Sequence, residues 1–217
     1  MVTPKLKIGI SSRIVKSTNY NEKRDAISHD WPPFLEKINS NMVFIPNTLT
    51  HVEDFLNDFC INAIILSGGD DIGDDLERDV TEKKILDFAI KNKIPLFGVC
   101  RGMQVINKYF GGYLEKNYTS FHVGTPHDVD LINQNLKLKL NKNSLMVNSF
   151  HNNIITTSTL GKELEPFAIT KKDQTIEGFF HKTLPIVGVM WHPERDPTHE
   201  NQLILKEVFY EHLFWKE

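Results

Sequence analysis

The stretch that most constrains how this chain folds runs from Ile94 to Gly112, I-P-L-F-G-V-C-R-G-M-Q-V-I-N-K-Y-F-G-G. Ile94 to Val99 is short, apolar and opened by a proline, which predicts a buried strand. From Arg101 onward Val105, Ile106 and Phe110 recur at helical spacing until Gly111-Gly112 ends the pattern. A strand that passes into a helix through one residue makes a sharp corner, and Cys100 occupies it. Gly98 and Gly102 flank the cysteine because such a corner leaves no room for a neighbouring Cβ, which makes the segment a cysteine form of the G-x-S-x-G elbow. A thiol there faces the N-terminus of a helix, whose dipole and free N–H groups favour thiolate. A cysteine used as a small buried apolar group fits the same pattern, so the elbow alone leaves both readings open.

The elbow sits in an alternating succession. Lys5 to Ser12 predicts a first strand, Asp30 to Ile38 a helix with Pro32-Pro33 in its first turn, and Met42 to Ile45 a strand. Val52 to Phe59 reads as a helix, Ile61 to Leu66 as a strand running into Ser67-Gly68-Gly69-Asp70-Asp71, and Leu76 to Lys91 as a helix. Strand and helix in turn predict a parallel sheet with helices on both faces. Beyond Gly112 the character changes. Ser144 to Asn148, Leu164 to Thr170, Thr175 to His181 and Pro185 to Trp191 predict antiparallel hairpins beside the sheet. A last helix, about Asn201 to Phe214, turns Leu203, Ile204, Val208 and Leu213 inward.

Length and composition exclude several classes. A chain of 217 residues, 40% hydrophobic and 24% charged, suits one soluble α/β domain over residues 1–217. A net charge of -3 argues against a nucleic-acid partner. No apolar run reaches membrane-spanning length, and the first residues lack the apolar block of a signal peptide. Two cysteines, Cys60 and Cys100, form no disulfide framework, so a cytoplasmic location is expected.

Three stretches besides the elbow carry chemistry. Gly68-Gly69 follows a strand, at the sheet edge where open parallel sheets bind ligands. Main-chain N–H groups there, with that of Arg101, would form an oxyanion hole; a plain turn is the alternative. Gly188 to Arg195, G-V-M-W-H-P-E-R, offers His192 as a base and Glu194 as its orienter, on the same side if the chain stays extended. Val147 to Asn152, V-N-S-F-H-N, supplies Ser149, His151 and Asn152 for a carboxylate and an amine, and His151 is a rival base. Asp70-Asp71 read as loop carboxylates rather than metal ligands. His122 and His127 with Asp128 and Asp130 imitate a metal cluster but lack a helical or hairpin frame. Cys60 reads as core, and Arg78, Asp79 and Glu82 as a helix-surface charge set.

Taken together, I-L-S-G-G-D-D-I, R-D-V-T-E, I-P-L-F-G-V-C-R-G-M-Q-V-I-N, M-V-N-S-F-H-N and V-M-W-H-P-E-R resemble the class I glutamine amidotransferase-like superfamily, and most closely its γ-glutamyl hydrolase branch. These pieces span Ile61 to Arg195 in the family's order. The resemblance implies a flavodoxin-like three-layer α/β sandwich with a mostly parallel central sheet. It implies a triad of Cys100, His192 and Glu194, and an oxyanion hole at Gly69 and Arg101. It also implies that Gln104 and the segment Ser149, Phe150 and His151 grip the amino-acid end of a γ-glutamyl group. Arginine after the nucleophile is typical of the hydrolase branch. Arg13, then Tyr20, Glu22 and Arg24, then Asp30-Trp31, resemble hydrolases that act on γ-glutamyl-CDP-amidate in capsule phosphoramidate synthesis. Arg13 and Arg24 would then face a pyrophosphate. Hydrolysis of γ-glutamyl-γ-aminobutyrate or another γ-glutamyl amine, or ammonia delivery by a glutaminase subunit, are the alternatives. The resemblance implies a small-molecule γ-glutamyl substrate, no metal and no organic cofactor. A homodimer is compatible with it. The loop Asp70 to Asp75 is shorter and more acidic than the family pattern, which bears on the leaving-group pocket.

Overall fold

The structure is a computed structural model that describes residues 5–117 and 122–215. Residues 1–4, part of the N-terminal stretch read for a signal peptide, and residues 216–217 at the end of the expected domain lie outside them. The first half alternates as its patterning demands. It comprises β1 (Leu6–Ser11), β2 (Arg13–Lys16), β3 (Lys23–Ala26), α1 (Trp31–Glu36), β4 (Ser40–Ile45), α2 (Val52–Asp58), β5 (Ala63–Leu66), α3 (Leu76–Asn92), β6 (Leu96–Val99) and α4 (Arg101–Tyr109). Then follow β7 (Glu115–Lys116), β8 (His127–Leu131), α5 (Gln134–Leu140), β9 (Ser144–Val147), β10 (Asn153–Ile154), β11 (Leu164–Thr170), β12 (Ile176–His181), β13 (Ile186–Val189) and α6 (His199–Lys206).

A nine-stranded sheet in the order β4-β1-β5-β6-β13-β12-β11-β8-β9 forms the middle layer. From β4 to β13 neighbouring strands are parallel, and from β13 to β9 they are antiparallel. The expected hairpins therefore extend the parallel sheet at one edge, in a flavodoxin-like α/β arrangement. Alternate residues of each strand enter different cores. Ala63, Ile65, Phe97 and Val99 pack with Trp31, Phe34, Leu205 and Val208. Ile64, Leu66 and Leu96 pack with Leu56, Ile85, Met103 and Ile106 on the other face.

Several expectations are corrected. The β2–β3 hairpin, R-I-V-K against K-R-D-A, was not anticipated, because its mostly exposed, charged residues blur the alternation of period two. The strand β8 and helix α5 were also missed. The last helix is not continuous: α6 ends at Lys206, a wider π turn spans Glu207–Glu211, and a 3-10 turn spans Leu213–Trp215. Cys60 is exposed rather than core, at a positive-φ turn just beyond α2. Arg78 and Glu82 are buried, not a surface charge set, because α3 lies with that face on the loop after β5.

Candidate active site

Strands β5, β6 and β13 lie side by side, so the loops at their carboxyl ends meet. Val99 is level with Val189, and Cys100 N–H donates to Val189 O at 2.8 Å. Cys100 itself has φ 49° and ψ −103°, a strained backbone that only a firmly held corner sustains. The glycines around it hold that corner. A Cβ on Gly98 would stand 2.5 Å from Ile106 Cδ1 and 2.7 Å from the carbonyl carbon of Gly102. One on Gly102 would stand 2.1 Å from Leu66 O. The corner can form only because α4 presses against β5 and β6 without side chains between them.

His192 follows the end of β13 in a turn closed by Arg195 N–H to His192 O. The strand stops at Val189, two residues earlier than expected. Glu194 therefore reaches His192 across a turn rather than along an extended strand. His192 Nδ1 and Glu194 Oε1 are 2.8 Å apart, and both side chains are buried. An ionised carboxylate only accepts, so when the ring is neutral Nδ1 carries its proton and Nε2 keeps a lone pair. Asn148 fixes the base: its Nδ2 donates to His192 O and its Oδ1 accepts from His192 N–H, each at 2.8 Å. The Phe150 ring meets the imidazole edge to face at 5.8 Å, with the Arg195 guanidinium 4.8 Å over Phe150.

The Cys100 and His192 side chains both border Gly68. A Cβ there would lie 2.7 Å from His192 Cε1 and 3.7 Å from Cys100 Cβ. The helix terminus does not by itself decide the ionisation of the thiol. Burial pushes the Cys100 thiol up to about 12, and Glu194 and Glu177 add to the shift. The Arg101 main-chain N–H, bonded to the sulfur, and the Arg195 charge only partly offset this. Desolvation outweighs the helix terminus here.

Gly69 has φ +150°, and a Cβ on it would stand 2.2 Å from Arg78 Nη1 and 3.5 Å from Arg13 Cβ. Arg13 thus flanks the loop after β5. Arg13 and Arg24 belong to the same face of the hairpin, since Arg13 pairs with Ala26 and Val15 with Arg24. Arg24, however, is held by Glu22 on the exposed rim at 3.1 Å. A cavity of about 550 Å³ between hairpin and loop is lined by Arg13, Val15, Lys16, Asp70, Asp74 and Asp75.

Gln104 is buried; its Nε2 contacts Met190 Sδ at 3.7 Å and its Oε1 faces Asn153 Nδ2 at 3.5 Å. Asn153 also donates to Asp71 Oδ1 at 2.9 Å, so a wall runs from Gln104 to that loop. The Ser149 hydroxyl is committed to His122 O at 2.6 Å, and His151 N–H donates to the same oxygen at 3.0 Å. His151 Nδ1 lies 2.9 Å from Asn153 O and Nε2 3.4 Å from buried Glu177. That commits His151 to a cluster with His122, His127 and Glu177 and leaves His192 as the imidazole paired with an acid at the elbow. His122, His151 and Glu177 offer ligand atoms within 4.8 Å of one another, a set able to hold an ion. The same contacts suit a proton shared between histidine and carboxylate. Asp128 and Asp130 do not belong to that set.

Sequence reasoning missed Asn148, Glu177 and Asn153. Their partners lie 44, 26 and 82 residues away in His192, His151 and Asp71, and no local pattern signals such pairs.

A parallel sheet with a cysteine elbow at its carboxyl edge defines an α/β protein of the nucleophile-elbow class, and comparison with known proteins narrows it. The family described as glutamine amidotransferase class-I matches residues 26–212, and the chain belongs to it. A γ-glutamyl-CDP-amidate hydrolase of Campylobacter jejuni subsp. jejuni is 36% identical over 210 residues, covering 93% of this chain and 96% of that one. Component 2 of the aminodeoxychorismate/anthranilate synthase of Bacillus subtilis is 31% identical over 180 residues, covering 78% and 84%. A glutamine amidotransferase structure from Thermotoga maritima shares the fold with TM-score 0.63 at 14% identity, over 97% of this chain and 91% of that one. A Thermoplasma acidophilum structure does so with TM-score 0.74 at 23% identity, over 95% and 94%. The chain is thus a glutamine amidotransferase-type hydrolase acting on amide C–N bonds. Among the described residues no helix is long and apolar enough to cross a membrane.

Proposed function

We propose that the chain is a γ-glutamyl amide hydrolase using Cys100 as nucleophile, His192 as base and Glu194 as orienter. The observation that carries this is that the Cys100 side chain and the acid-paired His192 ring border the same glycine, Gly68. Cys100 Sγ attacks the γ-carbonyl while His192 Nε2 takes the thiol proton. The carbonyl oxygen, now negative, accepts from the N–H groups of Gly69 and Arg101. His192 passes the proton to the leaving nitrogen, the C–N bond breaks and a γ-glutamyl thioester remains. A water deprotonated by His192 then attacks it, releasing glutamate and restoring the thiol. Gln104 and the main chain from Ser149 to His151 hold the amino-acid end.

The favoured substrate is γ-glutamyl-CDP-amidate, as named for the Campylobacter jejuni relative. Arg13, whose Cβ borders Gly69, would meet the diphosphate of the leaving group. Arg24, already paired with Glu22, contributes less. The test is glutamate release from γ-glutamyl-CDP-amidate, γ-glutamyl-γ-aminobutyrate and glutamine, by wild type and Cys100→Ala. The nucleotide amidate should give the largest kcat/KM, Arg13→Ala should raise KM for it alone, and Cys100→Ala should be inactive. Turnover retained in folded Cys100→Ala removes the mechanism, and a preference for glutamine that depends on a partner removes the substrate.

A further inference from the structure

Glu82 lies in α3, buried, and has no place in the chemistry just described. Its Oε1 accepts from Ser11 Oγ and from Arg78 Nε, each at 2.9 Å. Its Oε2 pairs with Arg101 Nη1, while Arg101 Nη2 pairs with Asp79 Oδ1. Arg78 continues the chain: its Nη2 donates to Ser67 O at 2.8 Å and to Gly68 O at 3.1 Å. Ser11 Oγ in turn accepts from Ser67 N–H at 3.0 Å. Two guanidinium groups thus converge on one carboxylate, with Asp79 balancing the second.

These contacts reach the Gly68 carbonyl, on the peptide that leads into Gly69, and the side chain of Arg101, the two residues assigned above as oxyanion donors. The carbonyl and N–H of a trans peptide point in opposite directions. Arg78 holds the Gly68 carbonyl, so the Gly69 N–H across the same peptide bond is aimed away from the guanidinium. The Arg101 side chain is anchored to α3, so its own N–H, next in the chain to Cys100, is held toward the sulfur. A carboxylate needed only to neutralise Arg78 would not require Arg101 as well.

We propose that Glu82 is a positioning residue that sets both main-chain donors of the oxyanion hole, through Arg78 for Gly69 and directly for Arg101. This rests on the γ-glutamyl hydrolase reading. The test compares Glu82→Gln with wild type, with Arg78→Lys, which keeps a cation but reaches fewer acceptors, serving also if Glu82→Gln does not fold. With a γ-glutamyl amide, kcat should fall about 100-fold, the scale of a lost oxyanion donor, while KM stays within about threefold. Glutamate γ-semialdehyde, whose hemithioacetal oxygen would occupy the hole, should lose affinity by a similar factor. Iodoacetamide alkylation of Cys100 forms no oxyanion, so it should lose only what the Arg101 N–H contributes to thiol ionisation, less than about tenfold and well short of the fall in kcat. Unchanged kcat in a folded variant, or alkylation falling in step with kcat, overturns the proposal. If wild type cleaves no γ-glutamyl amide, the hydrolase reading fails separately. The amide resonances of Gly69 and Arg101 in substrate-free Glu82→Gln still decide the positioning, and unshifted resonances overturn it.

Discussion

The ionisation of Cys100 can be worked from its surroundings to a rate. The thiol is buried, and Glu194 and Glu177 oppose a second negative charge beside them, which puts its pKa at about 12 against an ordinary 9.0. At pH 7.5 that leaves a thiolate fraction of about 3 × 10⁻⁵, roughly 1000-fold below an unperturbed thiol, or about 4 kcal/mol. A more basic thiolate is intrinsically the better nucleophile, which recovers about 20-fold. Alkylation of Cys100 by iodoacetamide should therefore run about 50-fold slower than that of a free cysteine at the same pH. Its rate should climb about tenfold per pH unit from 6 to 9 without levelling.

Cys60 is exposed and would react with the same reagent, so the measurement belongs in a Cys60→Ser background. Stopped alkylation read by mass spectrometry gives the pH profile. A plateau below pH 8 would mean that a preformed thiolate–imidazolium pair exists in the empty enzyme, and the reasoning from burial would be refuted. The expected profile means instead that the proton leaves sulfur for His192 only as the carbon–sulfur bond forms. Catalysis then depends on how well His192 is held, and less on the helix terminus.

Further outcomes follow from the same contacts. Asn148→Ala removes two of the hydrogen bonds that fix the His192 main chain and should cost about 2 kcal/mol in urea unfolding and about tenfold in kcat; an unchanged kcat counts against that role. Gly102→Ala places a Cβ 2.1 Å from Leu66 O, so the sheet and α4 must separate, with about 3 kcal/mol or more lost in the same assay. In Glu177, burial raises the carboxyl pKa, but the His127 and His151 rings that face it at 3.7 and 3.4 Å outweigh this and bring the group from 4.5 down to about 2. Its charge thus stabilises the fold above about pH 5 and ceases to do so as pH falls through about 2. The stability gap between wild type and Glu177→Gln should shrink by about 3 kcal/mol across that window, and a constant gap refutes the assignment.

What was legible in the sequence divides by distance along the chain. The elbow was legible because its constraint is local: Gly98, Cys100 and Gly102 are within one turn of each other, and the crowding that demands glycine is a property of any strand passing directly into a helix. The parallel half was legible for a similar reason, since Ile64, Leu66, Phe97 and Val99 belong to short apolar runs. The β2–β3 hairpin was not, because its strands are mostly solvent-facing and carry the charges of a loop. Helical periodicity also misplaced Arg78 and Glu82. The i,i+4 spacing reports that they are neighbours on α3, not which face of that helix is covered. That face is decided by β1 and the loop after β5, which bring Ser11, Ser67 and Gly68 against it. Arg78 is the limiting case. Its buried guanidinium is tolerable only because a carboxylate four residues on and two carbonyls from another loop accept its protons, and those carbonyls belong to the peptides that lead into Gly69. A charge that looks incidental in one dimension is, in three, what holds the most exacting turn of the site in place.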